Sequence, residues 1–230
     1  MHATLAAVVG MGGLALGSSV SAGDIVFLDQ IGGGVFNPTA LSSSQFPPGR
    51  PEGAITTVDD FTLQSPFAGA PLRITRIEAA VAGLQNFVSF DLIDSWTIQI
   101  YSSLEASTQS LFGDIHSESF SFPDALTDGF SSFGGMPVEL ATFDVDIVLD
   151  PGTYWLAVVL GNDFSLNGTS GIAGSALGGG TAFFSGPGLG DFFALGNPAA
   201  YRIIGTVIPG PGAALFLMWI PFARRRRSRV

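Results

Sequence analysis

The sequence predicts an all-β protein, an antiparallel β-sandwich or jelly-roll-like single domain that spans residues 23–205. Short segments rich in β-branched and aromatic residues recur along the chain and are separated by glycine and proline. No stretch carries a sustained apolar stripe with the 3.6-residue period of a helix. With 230 residues, of which 47% are hydrophobic and 12% charged, the chain has enough apolar material for one core.

Seven strands are predicted from these segments. In chain order they are Asp24–Leu28, Val58–Leu63, Leu72–Val81, Trp96–Ser102, Phe143–Leu149, Tyr154–Leu160 and Tyr201–Val207. In the third strand the alternation of apolar residues slips between Ile74 and Ile77, which predicts a β-bulge at Thr75 and Arg76.

The segment from Phe143 to Leu160 predicts a hairpin. Apolar residues alternate with polar ones up to Leu149, as in a strand with one buried face. Asp150-Pro151-Gly152 follows and is typical of a tight turn, because proline restricts φ and glycine supplies a positive φ. The returning strand, Tyr154–Leu160, is apolar on both parities, so we expect it at the centre of a sheet covered on both faces.

Two segments predict surface loops because glycine, serine and proline dominate them, namely residues 32–53 and 161–198. The second segment also carries two aromatic pairs, Phe183-Phe184 and Phe192-Phe193. These pairs predict short edge strands or loop anchors that reach the core. An exposed patch for self-association is the alternative.

Charge is distributed unevenly along the chain. All nineteen acidic residues but only four of the nine arginines lie between Asp24 and Arg202, so this body carries a formal charge of −15. Such a domain repels phosphate backbones and anionic head groups, which argues against nucleic acid as a partner. Cations, cationic partners and neutral glycans remain compatible with it.

Residues 1–22 predict a secretory signal peptide. A short apolar segment, Leu5–Leu16, is followed by the small residues of Val20-Ser21-Ala22. Small side chains at these positions fit a signal peptidase, so we predict cleavage between Ala22 and Gly23. The alternative is an N-terminal core helix, which the glycines of this segment disfavour.

Residues 206–230 predict a membrane-directed segment. The apolar run Ala213–Ala223 would be about 17 Å long as a helix, against a hydrocarbon layer of about 30 Å. Arg224, Arg225, Arg226 and Arg227 follow it, and such a cluster stays on the cytoplasmic side and halts export. We therefore expect a short hydrophobic helix that anchors the chain. A plain tail anchor or a basic tail on the membrane surface is the alternative.

The order of these features resembles the sorting signal of PEP-CTERM proteins, a family of exported bacterial proteins. Pro209-Gly210-Pro211 stands here where the family has Pro-Glu-Pro, and the apolar run and the arginines follow. The resemblance covers Val207 to Val230. It implies export, sorting to the cell envelope and processing by an exosortase, which is a membrane protease.

Residues suited to catalysis are few. The chain has no cysteine and no lysine, and His116 is the one histidine that follows the predicted signal peptide. It also lacks the Gly-x-Ser-x-Gly motif of many hydrolases. We therefore predict a non-enzymatic protein without a resident cofactor. A jelly-roll hydrolase with two facing carboxylates is the alternative.

Two binding sites are predicted on the body. Asp144 and Asp146 share one face of a strand, and with a loop carbonyl they would offer Ca²⁺ the oxygen ligands that it prefers. The alternative there is a solvated strand face. Trp96 and Trp155 are candidate platforms for a sugar ring, with packing in the core as the alternative.

Together these features predict an exported protein of the cell envelope or extracellular matrix. Its sandwich would be structural or adhesive, its partners would be an exosortase-like protease and the membrane, and its tail would hold it to the membrane transiently or permanently. The alternative function is a lectin-like module that binds extracellular polysaccharide, with calcium as a possible aid.

Overall fold

The structure, a computed structural model, describes residues 23–32, 35–42, 56–66, 69–110, 112–132, 136–162, 164–177, 180–186 and 191–208. These residues form two β-sheets that share one hydrophobic core, which confirms the predicted antiparallel β-sandwich. The predicted signal peptide, residues 1–22, and the predicted apolar helix, residues 213–223, lie outside the described residues.

The strands within the described residues are β1 (Ile25–Asp29), β2 (Val35–Ser42), β3 (Thr56–Leu63), β4 (Leu72–Gly83), β5 (Ile93–Tyr101), β6 (His116–Phe120), β7 (Ala125–Ser132), β8 (Pro137–Leu149), β9 (Gly152–Asn162), β10 (Ser170–Ser175), β11 (Phe183–Ser185), β12 (Phe193–Ala194) and β13 (Tyr201–Val207). Two short helices, α1 (Leu104–Gln109) and α2 (Phe164–Asn167), and a 3-10 turn at Phe90–Leu92 complete the described elements. All seven predicted strands occur, as β1, β3, β4, β5, β8, β9 and β13.

The two sheets differ in how their strands are joined. Seven strands form the first sheet in the order β1-β13-β4-β10-β2-β7-β8, and β4 also pairs with β8. This extra pairing closes five of the strands, β4, β10, β2, β7 and β8, into a ring. Six strands form the second sheet in the order β12-β11-β3-β9-β5-β6. The pairings of the described strands are antiparallel except for β2 with β7.

The main core lies between the sheets and is built largely from alternate residues of β3, β4, β5, β8, β9 and β13. Leu156 and Val158 of β9 belong to the same buried cluster as Ile77 of β4 in the other sheet. Ala157, of the opposite parity, is buried in a second cluster with Leu104 of α1. Both faces of β9 are therefore covered, which confirms the prediction that this strand is central.

The predicted hairpin is wrong. β8 pairs with β4 and β7 in the seven-stranded sheet, whereas β9 pairs with β3 and β5 in the six-stranded sheet. Asp150 and Pro151 thus carry the chain from one sheet to the other, and Gly152 does not have a positive φ. The apolar pattern determines which face of a strand is buried, and two strands that face each other across a core satisfy it as well as two paired strands do.

The two segments predicted as loops contain strands. β2 lies within residues 32–53 and pairs with β10, which lies within residues 161–198. β10 is buried along its whole length although it is made of small residues, Ser-Gly-Ile-Ala-Gly-Ser. The prediction of short edge strands near the two phenylalanine pairs is confirmed, because β11 and β12 pair with each other at one edge of the six-stranded sheet.

Both ends of the described chain leave from the same end of the sandwich. Ile25, at the start of β1, is the register partner of Gly205 near the end of β13. The N–H of Ile208 donates to the carbonyl of Pro71, just before β4. The last strand, β13, ends at Val207, which is two residues beyond the predicted end of the domain at residue 205.

The bulge predicted at Thr75 and Arg76 is confirmed. The register of β4 with β8 shifts between Ile74 and Arg76, and the register of β13 with β4 shifts at the adjoining residue Gly205. A Cβ atom on Gly205 would overlap the Arg73 carbonyl oxygen and lie 2.7 Å from the ring of Phe27. Glycine is therefore the residue that lets β13 approach the bulged strand.

We expect Gly205→Ala to lower the free energy of unfolding by about 1–3 kcal/mol, the usual cost of forcing atoms into a packed interior. The matched control is Gly180→Ala, where the nearest atom to a new Cβ is the Cβ of Pro198 at a normal contact distance of 3.5 Å. Urea unfolding followed by tryptophan fluorescence measures both variants. Equal stabilities would contradict the close approach of β13 and β4.

Candidate functional site

The two predicted calcium ligands are each paired with an arginine. Nε of Arg76 lies 3.0 Å from Oδ1 of Asp144, and Nε of Arg73 lies 2.9 Å from Oδ1 of Asp146. These pairs link β4 to β8 on the outer face of the seven-stranded sheet. Within the described residues no group of three or more acidic, histidine or cysteine side chains could hold a metal ion. The calcium site stays a prediction, and an ion there would compete with two guanidinium groups.

Trp96 lies in the core and is fully buried. Its ring centroid is 5.9 Å from that of Phe143, on the opposite sheet, and 6.4 Å from that of Phe122. The ring therefore has no face open to a sugar, and Trp96 does not support the predicted ligand site. The alternative of core packing is correct for this residue.

Trp155 is only partly buried and lies on the outer face of the six-stranded sheet. Its ring meets Phe183 edge-on, with centroids 5.7 Å apart, and Phe183 meets Phe192 in the same way at 5.6 Å. We call Trp155, Phe183 and Phe192 the aromatic row. All three side chains are partly exposed and pack at the margin of the buried cluster that includes Leu104 of α1.

Polar side chains lie beside the aromatic row. Asp60 on β3 is the register partner of Trp155, and Thr62 is the partner of Thr153 one step along the same face. The hydroxyls of Thr62 and Thr153 are 3.0 Å apart, and all three polar side chains are exposed. Sequence reasoning missed these neighbours because no local pattern shows that β3 pairs with β9.

Asp59 points the opposite way, into the core, and is 1% exposed. Its Oδ2 accepts a hydrogen bond of 2.7 Å from the N–H of Ala199, and its Oδ1 accepts one of 3.0 Å from the N–H of Asp60. Burial raises the pKa of Asp59 from the ordinary 3.8 to about 7, although these hydrogen bonds act in the other direction. The carboxyl thus joins β3 of one sheet to the chain that enters β13 of the other.

The Gln30 side chain also hydrogen-bonds the Asp59 carboxyl, and this contact lowers the pKa of Asp59 as the two backbone hydrogen bonds do. Burial outweighs all three hydrogen bonds, so the net shift of the pKa is upward.

The predicted sorting signal and the predicted signal cleavage lie at the two ends of the chain. Pro209, Gly210, Pro211 and Arg224–Arg227 lie outside the described residues, as does Ala22 on one side of the predicted signal cleavage. Gly23, on the other side, is exposed at the start of the described chain. In the described part of the chain, no helix combines the length and the apolar character needed to cross a bilayer.

Comparisons with known proteins add no relative to these observations. No family model, no curated protein and no solved structure matches the chain.

We expect the stability difference between the wild-type protein and Asp59→Asn to depend on pH. Because the pKa of Asp59 is raised in the folded state, its contribution to stability is complete below the ordinary pKa of 3.8 and is lost as the pH rises toward about 7. Over that range the wild-type protein should lose about 4 kcal/mol relative to the variant. Urea unfolding at a series of pH values measures this difference.

Asp94→Asn is the matched control for this experiment, since Asp94 is an exposed carboxyl on β5 and is not among the groups that shift the pKa of Asp59. Its stability should follow that of the wild-type protein across the pH range. If Asp59→Asn also follows the wild-type protein, Asp59 titrates normally and the buried carboxyl is not the pH-sensitive group.

Proposed function

We propose that this is an exported, non-enzymatic protein of the cell envelope or extracellular matrix, with a β-sandwich that has a structural or adhesive role. The observation that carries the proposal is the order of features along the chain. A signal-peptide pattern in residues 1–22 precedes the sandwich, and an apolar run with an arginine cluster ends the chain. An adhesive or structural domain needs export and retention at the surface, which these two ends would supply.

The position of the chain ends on the sandwich supports the proposal. Ile25 and Ile208 lie at the same end of the sandwich, through their contacts with Gly205 and Pro71. A tail that starts after Ile208 would therefore hold the sandwich by one end. The opposite end and both outer sheet faces would project away from the membrane or along it.

The charge distribution favours attachment through the tail rather than through the domain. Arg73, Arg76 and Arg202 of the sandwich are each paired with carboxylates, whereas the tail contains five arginines and no acidic residue. Anionic head groups attract clustered arginines and repel a body with a large negative charge. The domain would thus remain in the aqueous phase while the tail engages the membrane.

The resemblance to PEP-CTERM proteins extends the proposal to a processing partner. An exosortase-like protease would recognise Pro209-Gly210-Pro211 and the segment after it, and cleavage would release the sandwich from its anchor. Retention before cleavage and release after it would make the membrane location transient.

A lectin-like module is the second proposed function, and the placement of Trp155 favours it. This side chain is partly exposed beside Asp60 on a sheet face, whereas Trp96 is not available. Asp144 and Asp146 lie on the other sheet, on its outer face, so calcium bound there would be remote from a ligand at Trp155. We therefore propose sugar binding without direct help from calcium at those aspartates.

Cell fractionation tests the location. An antibody against the sandwich should detect the protein in the envelope or the culture medium. Replacement of Arg224–Arg227 by four glutamines should raise the released fraction several-fold, because the consecutive charges that halt export are then removed. Arg73→Gln, which removes a paired arginine of the sandwich, is the control and should not change the distribution. Full-length protein in the cytoplasm would contradict the proposal.

Mass spectrometry of the mature protein tests the processing. We expect an N-terminus at Gly23 and a C-terminus near Pro209–Pro211, and we expect Pro209→Ala with Pro211→Ala to leave the tail attached. An intact tail on the wild-type protein would refute processing while leaving the anchor, and an intact Met1 would refute the signal peptide.

A further inference from the structure

We propose that the aromatic row, together with Asp60, Thr62 and Thr153, is a binding surface for a neutral polysaccharide. The proposal rests on the second proposed function, the lectin-like module, and assigns to it a site and a ligand class. The site lies on the outer face of the six-stranded sheet, across β9, β3 and β11.

The rings of the aromatic row are held in place before any ligand binds. Phe183 stands at 69° to Trp155 and at 89° to Phe192, so the three rings support one another edge to face. Val58 and Leu104, buried beside them, belong to the cluster against which the row packs. Side chains that are already ordered lose little freedom on binding, which favours affinity.

The perpendicular rings make a stepped surface, not a flat one. A chain of sugar units presents apolar C–H faces and a rim of hydroxyls, so it can meet ring faces and ring edges in turn. Trp155 is suited to such mixed contacts because tryptophan combines a large apolar ring system with a polar N–H group.

The polar neighbours supply hydrogen bonds for the hydroxyl rim. The Asp60 carboxylate accepts from hydroxyl groups, and the hydroxyls of Thr62 and Thr153 both donate and accept. Side chains two residues apart on a strand are separated by about 6.5–7 Å, and register partners by about 5 Å. Trp155, Asp60 and the threonine pair are therefore close enough to contact the same stretch of a sugar chain.

Charge selects a neutral glycan over other partners. The six strands of this sheet contain no arginine, and Asp60 stands within the site, so an anionic glycan would be repelled. An apolar protein surface would bury the Asp60 carboxylate without a partner, which is costly. A neutral glycan avoids both costs, because it carries no negative charge and its hydroxyl groups can donate hydrogen bonds to the Asp60 carboxylate.

A glycan array of neutral and acidic polysaccharides, probed with the purified full-length protein in mild detergent, tests the proposal. We expect binding to neutral glycans that persists in a chelator, and a loss of roughly tenfold in affinity for Trp155→Ala, as for a central aromatic contact. The matched control is Phe193→Ala. Phe193 is 55% exposed and adjoins Phe192, but it points to the other face of the sheet, so its replacement should not change the affinity.

Two further variants distinguish a loss of binding from a loss of folding. Trp155→Phe keeps a ring in the row and should bind more tightly than Trp155→Ala. Asp60→Ala changes an exposed residue and should weaken binding roughly tenfold, the effect of a lost hydrogen bond to a charged group, with unchanged thermal stability.

Three outcomes would overturn the proposal. They are no binding to any neutral glycan, tighter binding to acidic glycans, and an equal effect of Trp155→Ala and Phe193→Ala. Because the assay uses purified protein, failure of export in cells would refute the envelope location without affecting these results, and a flat array would leave the envelope proposal standing.

Discussion

Polar groups that cross the hydrophobic core fix how the two sheets sit on each other. Asp59 of the six-stranded sheet binds the N–H of Ala199, and the hydroxyl of Tyr201, from the seven-stranded sheet, accepts from the N–H of Val158 and donates to the carbonyl of Thr57. Asp59 and Tyr201 are almost completely buried. A buried polar group without a partner is costly, so any sliding of one sheet over the other would be opposed. The same constraint sets the parity of β3: with Asp59 inside, Asp60 must lie outside, next to Trp155.

The two outer faces of the sandwich have different chemistry. On the seven-stranded sheet Arg73 and Arg76 form exposed pairs with Asp146 and Asp144, and Arg202 binds both Asp29 and the buried Glu78. Exposed pairs of this kind add little stability, but they neutralise charge on the face that carries them. The six-stranded sheet presents instead the aromatic row, two threonine hydroxyls and the exposed Asp60 carboxylate. A ligand that approaches the sandwich therefore meets two distinct surfaces.

The edges of the six-stranded sheet are protected against strand addition. β12 has only two residues, so it offers few free backbone groups. At the other edge, β6 carries His116 and Glu118, whose side chains are 3.3 Å apart. They share the parity of Ile98 and Ile100 on β5, which places an imidazole and a carboxylate on the inner side of the edge. An adhesive role through a sheet face, and not through an open edge, agrees with this arrangement.

The sequence by itself determined the fold class, because strands with one buried face show alternation and glycine and proline mark their ends. It also identified the bulge at Thr75 and Arg76 and the short edge strands that carry the phenylalanine pairs. It missed β10, whose small residues carry no strand pattern, and it predicted a hairpin between β8 and β9. Local alternation reports burial but carries no information on which strand is the partner.

The tertiary structure alone decided which strands pair with each other and therefore which residues form the candidate site. Thr62 and Thr153, which bond to each other, are 91 residues apart in the sequence. Trp96 and Trp155 are both aromatic residues on strands, yet the parity of β5 turns one into the core and that of β9 turns the other outward. Asp59 and Asp60, adjacent in sequence, are separated in the same way into a buried and an exposed carboxyl. The physical reason is that each strand has two faces, and only the packing of the sheets decides which of them meets water.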